Sequence, residues 1–233
     1  MAERMTRLRS VVEKPLQKCG MLSIKQFRLP DFLCIGSQKS GTTWLHEQLR
    51  HHPDIMLPEE KEQHYFDWNF HQPLANYAKV FEGAGERMCG EITPGYAVIN
   101  ERRIDYLASI MPDVKIIFLM RDPVERAWSQ VVMNTIEIQG HDPSNLKDAD
   151  WISLLNEPRV RMRGDYLSIL QRWGTRIPEE QILLAFFEDV HRDPEKLLGK
   201  VHQFLKIAPQ EVRAIDPSNV VRKGVHVEMP EAV

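Results

Sequence analysis

Cysteine is scarce in this sequence of 233 residues, and its three cysteines form no recognisable pattern. Cys19, Cys34 and Cys89 are odd in number and widely spaced, which excludes a disulfide framework and a zinc-binding motif. Two of the three lie in apolar runs that are typical of buried strands. We therefore expect a reducing compartment and a cytoplasmic location.

Long apolar runs and an excess of either charge are also lacking. Residues 1–27 are basic and mildly amphipathic, but they contain no apolar core of signal-peptide length, and no later run is long enough to span a membrane. The formal net charge of −3 gives no reason to expect nucleic acid or an anionic membrane as a partner. His51, His52 and His191 lack further metal ligands at a useful spacing, so we predict no metal site.

The apolar runs that are present alternate with segments of helical periodicity. Residues 114–120 (VKIIFLM) and 181–187 (QILLAFF) predict buried strands, because a parallel strand covered on both faces needs a continuous apolar run. Apolar side chains from residue 124 to about 138 recur at helical spacing. The alternation predicts an α/β protein with a mainly parallel central sheet flanked by helices. We expect residues 1–30 to form an N-terminal extension and residues 31–233 a single domain.

Residues 31–49 (DFLCIGSQKSGTTWLHEQL) combine a predicted strand, a loop bounded by glycines and a predicted helix. Such a loop points backbone N–H groups and the positive end of a helix dipole at one spot, which suits a phosphate. In a triphosphate-binding loop the lysine follows the second glycine, whereas here Thr42 follows Gly41 and Lys39 lies inside the loop. Lys39 is therefore suited to a group bonded to the first phosphate. The sequence predicts a nucleotide with a short 5′ chain.

A basic residue, Arg121, directly follows the predicted strand over residues 114–120. Ligands of parallel sheets bind beyond the carboxyl ends of the strands, so Arg121 and the loop that carries Lys39 are expected to meet in one crevice. A guanidinium forms paired, charge-assisted hydrogen bonds to phosphate oxygens. Ser129 lies roughly two helical turns further on, at ~3.6 residues per turn, and shares that crevice if the helix begins at Pro123.

Three motifs resemble those of the sulfotransferases that use 3′-phosphoadenosine-5′-phosphosulfate (PAPS). The segment IGSQKSGTTWL is similar to the family's 5′-phosphosulfate loop, and FLMRDPVERAWSQ is similar to its 3′-phosphate motif. The late run Arg222-Lys223-Gly224 is similar to a basic-glycine loop over the same phosphate. The three motifs are spread from about residue 31 to 226 and cover most of the chain. The resemblance implies a P-loop-containing three-layer fold, PAPS as donor, adenosine 3′,5′-bisphosphate (PAP) as product and no required metal.

The resemblance also implies a set of donor-site residues. Lys39 stabilises charge on the bridging oxygen, and Thr42 and Thr43 hold the 5′-phosphate. Trp44 stacks near the adenine or packs its helix, and Tyr166 lies near the nucleotide or belongs to an amphipathic helix. The full implied set is Ser37, Lys39, Ser40, Gly41, Thr42, Thr43, Trp44, Arg121, Ser129, Tyr166, Arg222, Lys223 and Gly224.

The stretch EKEQHYFDW is most similar to the carbohydrate branch of the family, which includes heparan sulfate sulfotransferases and whose E-x-H-[FY]-F-D motif supplies the catalytic base. By that match Glu62 is the base, with His64 and Asp67 beside it. If residues 62–64 are extended, Glu62 and His64 point the same way, because strand side chains have a period of two. His64 is therefore the alternative base, or a partner that orients the acceptor.

The implied acceptor is a hydroxyl of a carbohydrate or a small metabolite, and the oligomeric state is not readable from the sequence. Where the carbohydrate branch has Glu-Lys-Thr-Pro, this chain has Ile92 in place of the lysine, which removes a charge near the transferred sulfate. A P-loop nucleotide kinase or phosphatase is an alternative, and Thr42 in the lysine slot argues against it. A non-catalytic nucleotide-binding protein of the same fold is another alternative. The presence of both Lys39 and Glu62 argues against that one.

Overall fold

The computed structural model describes residues 13–17, 23–211 and 227–229. Neighbouring strands within these ranges are parallel and form one five-stranded sheet in the order β2-β3-β1-β4-β5. This confirms the predicted α/β class with a mainly parallel sheet. The strands are β1 (Phe32–Gly36), β2 (Ile55–Met56), β3 (Met88–Ile92), β4 (Lys115–Met120) and β5 (Ile182–Phe186).

Helices connect the strands. The described α-helices are α1 (Thr42–Leu49), α2 (Leu74–Ala78), α3 (Glu101–Ile110), α4 (Pro123–Val132), α5 (Asp148–Leu155), α6 (Pro158–Gly164), α7 (Tyr166–Gly174), α8 (Glu188–Arg192) and α9 (Pro194–Leu205). Short 3₁₀ helices cover Lys79–Ala84, Pro94–Val98, Pro143–Asn145 and Glu179–Gln181. None of the described helices is long and apolar enough to cross a bilayer.

Side chains alternate between the two faces of the sheet along β1, and each face is covered by its own apolar cluster. Leu33 and Ile35 point into one core cluster, which also contains Phe118. Phe32 and Cys34 point into the other cluster, which α1 and α9 cover with Leu45 and Leu205 among others. Burying one such side chain contributes about 1.5–3 kcal/mol relative to exposure, so a strand with two apolar faces requires helices on both sides. The result is a three-layer architecture with β1 at its centre.

Two sequence-based expectations need correction. The predicted helix from residue 124 to about 138 is α-helical only as far as Val132, and a π-helical turn, Met133–Ile138, completes it. The predicted buried strand over residues 181–187 is only partly buried as β5, with Leu184 and Phe186 exposed by 41% and 51%. β5 forms the edge of the sheet, so its apolar composition overstates its burial.

The short helical segment over residues 13–17 packs against the domain. Lys14 is buried, and its Nζ donates to the Tyr65 hydroxyl at 2.8 Å and to the Gln72 carbonyl at 2.9 Å. Burial lowers the pKa of Lys14 to about 8, against a smaller opposing effect of Glu13. This segment therefore supports the chain that follows His64.

Candidate functional site

Two glycines shape the loop between β1 and α1. Gly36 has a φ of +142°, and a Cβ there would lie 3.0 Å from the Pro94 carbonyl oxygen. Gly41 has a φ of +82°, and a Cβ there would lie 2.8 Å from Cδ2 of Phe187. Positive φ and close neighbours both favour glycine over residues that carry a Cβ. The loop is thus fixed at one end against the segment after β3 and at the other against the segment after β5.

Inside the loop, buried hydroxyl groups connect it to the end of β4. Ser37 and Ser40 are fully buried, and their hydroxyl oxygens lie 2.6 Å apart. The Ser37 hydroxyl also lies 3.4 Å from the Tyr166 hydroxyl, which donates to the Arg121 carbonyl at 2.8 Å. The structure therefore brings Ser37, Ser40 and Arg121 together, as expected from their positions after the carboxyl ends of parallel strands, and Tyr166 joins them from the start of α7.

Arg121 lies between the loop and the segment after β5. Its Nη1 donates to the Lys39 carbonyl at 3.4 Å, and its guanidinium stacks over the Phe187 ring with its central carbon 4.8 Å from the ring centroid. Nη2 pairs with Glu125 at 3.1 Å, but Glu125 is 57% exposed, and such surface pairs stabilise by only about 0–1 kcal/mol. A phosphate can therefore replace this carboxylate as the partner of Arg121. The N-cap carboxylate of Asp122 accepts from two backbone N–H groups of α4 and fixes where the helix begins.

A cavity of about 460 Å³ opens beside Arg121, lined also by Phe187, His191 and Arg192. The sequence interpretation did not select Phe187 or Arg192. Their position after the end of β5 could have indicated them, because it places them at the same sheet edge as Arg121 and the loop.

The remaining residues that the sequence predicts to bind the sulfuryl donor do not all lie beside Arg121. Thr42 is buried and Thr43 half-buried in the first turn of α1. Trp44 is half-buried and packs against the core cluster of Phe32, which favours the helix-packing interpretation of this residue. Ser129 is half-buried on α4 and is not among the residues that line the cavity beside Arg121. Arg222, Lys223 and Gly224 lie outside the described residues.

On the other side of the loop, an acidic residue, a histidine and a second acidic residue form a chain of contacts. The His64 Nδ1 lies 2.8 Å from Oδ2 of Asp67, and its Nε2 lies 3.4 Å from Oε2 of Glu62. The other oxygen of Glu62 accepts from Lys61 Nζ at 2.6 Å. The imidazole also stacks on the indole of Trp68 at a centroid distance of 3.7 Å. His64 is thus held between two carboxylates.

The expectation that residues 62–64 are extended is wrong. Glu62 and His64 have φ values of +67° and +54°, in the left-handed region. Their side chains still meet, because the chain turns at both residues instead of alternating along a strand. Left-handed backbone costs a non-glycine residue roughly 1–2 kcal/mol, so the surrounding contacts must stabilise this conformation.

The charge states of Glu62 and His64 follow from their contacts. Burial by itself lowers the pKa of His64, but hydrogen bonds to Asp67 and Glu62 outweigh it and raise the pKa to about 9. Burial by itself raises the pKa of Glu62, but His64 and Lys61 together outweigh it and lower the pKa to about 2. At neutral pH the carboxylate is ionised and the imidazole is protonated.

We expect an NMR titration of the His64 ring to give a pKa of about 9 in the free protein. Asp67→Asn should move that pKa down towards 6.5, because it removes one of the two carboxylates that stabilise the charged ring. Since the folded-state pKa is raised, the stabilisation from this ion pair is fully present below pH 6.5 and is lost as the pH rises through about 9. A His64 pKa near 6.5 in the unmodified protein would contradict the described geometry.

A buried carboxyl group, Glu91, lies behind this turn. It accepts hydrogen bonds from the hydroxyls of Tyr77, Thr93 and Tyr96, the last two at 2.7 Å. Burial raises the pKa of Glu91, and the three hydroxyl donors oppose that effect. The Tyr96 hydroxyl in turn accepts from the backbone N–H of Tyr65 at 2.7 Å. Glu91 thereby fixes Tyr96, which holds the backbone directly after His64.

Tyr96→Phe is expected to lower the free energy of unfolding by roughly 1–3 kcal/mol, because it leaves buried polar groups without their partner. These groups are the Glu91 carboxyl and the N–H groups of Tyr65 and Phe66. Urea unfolding of the variant and of the unmodified protein measures the change. An unfolding free energy equal to that of the unmodified protein would show that the network does not hold the turn.

A cavity of about 320 Å³ connects this turn to the loop after β1. Ile92 does not line it and packs in the apolar cluster of Phe32 and Cys34 instead. No group of three or more potential metal ligands occurs within residues 13–17, 23–211 and 227–229. The polar side chains that line the cavity include Gln38, Glu62, His64, Asp67, Arg103 and Arg163.

Comparison with known proteins agrees with this geometry. The human heparan sulfate glucosamine 3-O-sulfotransferase 3B1 is 30% identical over 189 residues, which cover 76% of this chain and 46% of the relative. A solved sulfotransferase from Alicyclobacillus acidocaldarius has a TM-score of 0.66 and 26% identity, covering 82% of this chain and 88% of that one. Mouse sulfotransferase SULT7A1, solved in complex with PAP, shares the fold at a TM-score of 0.56 and 19% identity, covering 87% of this chain and 66% of that one.

The chain spans less than half the length of the curated relatives it matches. Within it, a family model described as "Sulfotransferase domain" matches residues 29–219. That match begins before β1 and extends past α9, so it includes the glycine-bounded loop, Arg121 and the turn of Glu62 and His64. The match over most of the chain, on a parallel sheet with these groups at its edge, shows that the protein belongs to the sulfotransferase family.

Proposed function

We propose that this chain transfers the sulfuryl group of PAPS to a hydroxyl group of an acceptor. One observation carries the proposal: the loop after β1 borders two different sites. The Ser37 hydroxyl contacts Tyr166 and the Lys39 carbonyl contacts Arg121 on one side of the loop. On the other side, Gln38 lines the cavity of Glu62 and His64. A donor on one side and an acceptor on the other then meet at the loop.

The residues on the donor side suit a nucleotide with phosphate groups at both ends. The first turn of α1 offers unpaired backbone N–H groups and the positive end of its dipole to a 5′-phosphate, beside Thr42 and Thr43. Arg121 offers a guanidinium to the 3′-phosphate, with Phe187 beneath it. We assign Arg222, Lys223, Gly224 and Ser129 to the same phosphate on their motifs alone.

Sulfuryl transfer resembles phosphoryl transfer, in which positioning and charge stabilisation do most of the catalytic work. A bond forms between the acceptor oxygen and sulfur, the bond between sulfur and the 5′-phosphate oxygen breaks, and PAP leaves. We assign Lys39 to the charge that builds on that bridging oxygen. The proton of the acceptor hydroxyl passes to a protein base.

We assign the role of base to Glu62 and an orienting role to His64. Glu62 is ionised at neutral pH and 38% exposed, so it can accept a proton from a hydroxyl in the cavity. His64 is protonated under the same conditions and therefore has no free lone pair with which to act as a base. Its imidazolium holds the Glu62 carboxylate and is held by Asp67.

We propose a carbohydrate or small-metabolite hydroxyl as the acceptor, on the likeness of residues 59–68 to the carbohydrate branch and on the open polar cavity. Cys34 and Cys89 are free and buried, and burial raises the pKa of the Cys34 thiol to about 12. Inert thiols of this kind are compatible with the reducing, cytoplasmic compartment that we also propose.

The proposal is tested by incubating the protein with ³⁵S-labelled PAPS and a panel of mono- and oligosaccharides and small alcohols. We expect label in at least one acceptor, release of PAP in equal amount, and no loss of transfer in EDTA. Arg121→Ala should weaken PAP binding, and Arg192→Ala tests whether the neighbouring cavity also takes part. Binding and hydrolysis of ATP without PAP binding would instead support the nucleotide kinase or phosphatase alternative.

A further inference from the structure

We infer that the acceptor carries an oxyanion, such as a carboxylate or a sulfate ester, and that Arg163 binds it beside the reacting hydroxyl. This inference rests on the proposed function, because it names the chemical class of molecule that fills the cavity of Glu62 and His64.

Arg163, near the end of α6, is a half-buried cation that forms no ion pair with another described residue. Its Nη1 donates a hydrogen bond to the Arg159 carbonyl at 3.4 Å. Its Nε is buried and has no hydrogen-bond partner among the described residues. No carboxylate of the described chain lies within ion-pair distance of it. Buried charges in proteins are ordinarily paired, so an unpaired guanidinium that lines a cavity indicates that the partner comes from the ligand.

Among the other charges of the cavity, Asp67 stabilises the Arg163 cation only from beyond ion-pair distance. Glu62 pairs with Lys61, and Asp67 pairs with the protonated His64, which leaves both carboxylates neutralised by cations of the protein. Arg103, the second guanidinium of the cavity, donates to the carbonyls of Phe66 and Asp67 and forms no ion pair within the described ranges. The cavity therefore has an excess of positive charge, which favours an anionic ligand.

A second polar group of the cavity, the side chain of Gln38, indicates that the ligand also carries a hydrogen-bond donor. The Oε1 of Gln38 is buried and accepts no hydrogen bond from the part of the chain that the structure describes, and Gln38 lines the same cavity as Arg163. One buried donor and one buried acceptor are thus both unsatisfied, although such groups are normally paired. A molecule with an oxyanion and a hydroxyl group satisfies both. Burial and the charge of Arg159 lower the pKa of Arg163, and the charge of Asp67 opposes them without cancelling their effect.

The inference is tested first by binding, without turnover. The ¹⁵Nε signal of Arg163 is followed in the protein with and without PAP during titrations with acetate, methyl sulfate and, as the neutral probe, acetamide. We expect a saturable shift with at least one of the two anions and none with acetamide. Arg163→Gln serves to assign the signal, and Arg161, exposed on the same helix, is the internal control. Equal responses to acetate and acetamide, or no saturable response to either anion, would overturn the inference.

The second test compares matched acceptors that differ in one group, namely a glucuronide and its glucuronamide, and a sulfated sugar and its unsulfated parent. We expect the unmodified protein to prefer the anionic member of at least one pair by roughly 10- to 100-fold in kcat/KM, as a charge-assisted hydrogen bond implies. Arg163→Gln should reduce that preference to about threefold or less, with unchanged PAP affinity, whereas Arg161→Gln should preserve it.

The outcomes separate this inference from the proposed function. Equal use of neutral and anionic acceptors by an active protein overturns the inference alone. An equal loss of both rates in Arg163→Gln also overturns it, because the guanidinium would then act on the sulfuryl group. The absence of both PAP binding and transfer would overturn the proposed function, while the anion titration of Arg163 still decides the inference.

Discussion

Glu62→Gln is expected to lower kcat for sulfuryl transfer by about 10²–10⁴ and to leave PAP affinity unchanged. The amide keeps the size of the side chain but cannot accept the proton of the acceptor hydroxyl. Glu62 lies in the cavity on the far side of the loop from Arg121, so the nucleotide contacts remain. Steady-state transfer of ³⁵S and calorimetric titration with PAP measure the two quantities on the same protein sample.

Glu60→Gln is the matched control, because Glu60 is an exposed carboxylate two residues away and lines neither of the two cavities. It should behave like the unmodified protein. Glu62→Gln also removes one of the two charges that hold the His64 pKa at about 9, so the pH profile is measured together with the rate. If kcat stays unchanged in Glu62→Gln while His64→Asn loses activity, His64 is the base and our assignment is wrong.

Lys39→Met is expected to reduce kcat/KM by about 10²–10³, the range found when one group that stabilises transition-state charge is removed. Methionine keeps the unbranched shape of the lysine stem and removes the charge. The backbone carbonyl of residue 39, which accepts from Arg121, remains in place. The loss should therefore appear in the transfer rate more than in PAP affinity, and stopped-flow single-turnover measurements separate the two.

Two controls accompany this variant. Lys79→Met removes an exposed lysine from the 3₁₀ helix after α2 and should change neither quantity. Lys39→Arg keeps the charge and should recover part of the rate. A Lys39→Met protein that transfers sulfate at the unmodified rate would show that the unusual position of this lysine in the loop has no chemical role.

The parallel sheet was predictable because a central strand is indicated by its own run of apolar residues, without knowledge of distant contacts. Residues 114–120 are continuously apolar, and β4, which lies inside this range, is flanked by β1 and β5 and covered on both faces. The same reasoning overestimated the burial of residues 181–187, since a sequence of this kind does not reveal whether its strand is central or at an edge.

The site was predictable as far as it follows from strand ends. Lys39 and Arg121 follow the carboxyl ends of two adjacent parallel strands, β1 and β4, so their meeting at one sheet edge requires only the α/β topology. The left-handed backbone of Glu62 and His64 was not predictable, because it depends on Tyr96 and Glu91, some thirty residues away in the chain. These contacts are formed by folding and have no local signature.

Arg163 illustrates the same limit. Within residues 158–164, three arginines (Arg159, Arg161 and Arg163) look alike in the sequence, and an amphipathic helix with an exposed basic face explains them all. Only the three-dimensional structure separates Arg163, whose Nε is buried and whose side chain lines the same cavity as Gln38 and Glu62, from the exposed Arg161. A side chain acquires this kind of role from its neighbours across the cavity, not from its neighbours in the chain.

The most direct test of the account measures PAP affinity and ³⁵S transfer together for the unmodified protein, Glu62→Gln and Lys39→Met. The account predicts that all three bind PAP, that the unmodified protein transfers label to a hydroxyl acceptor, and that both variants lose at least about a hundredfold in rate. Tight PAP binding with no transfer by the unmodified protein to any acceptor would contradict it. So would transfer at unmodified rates in both variants.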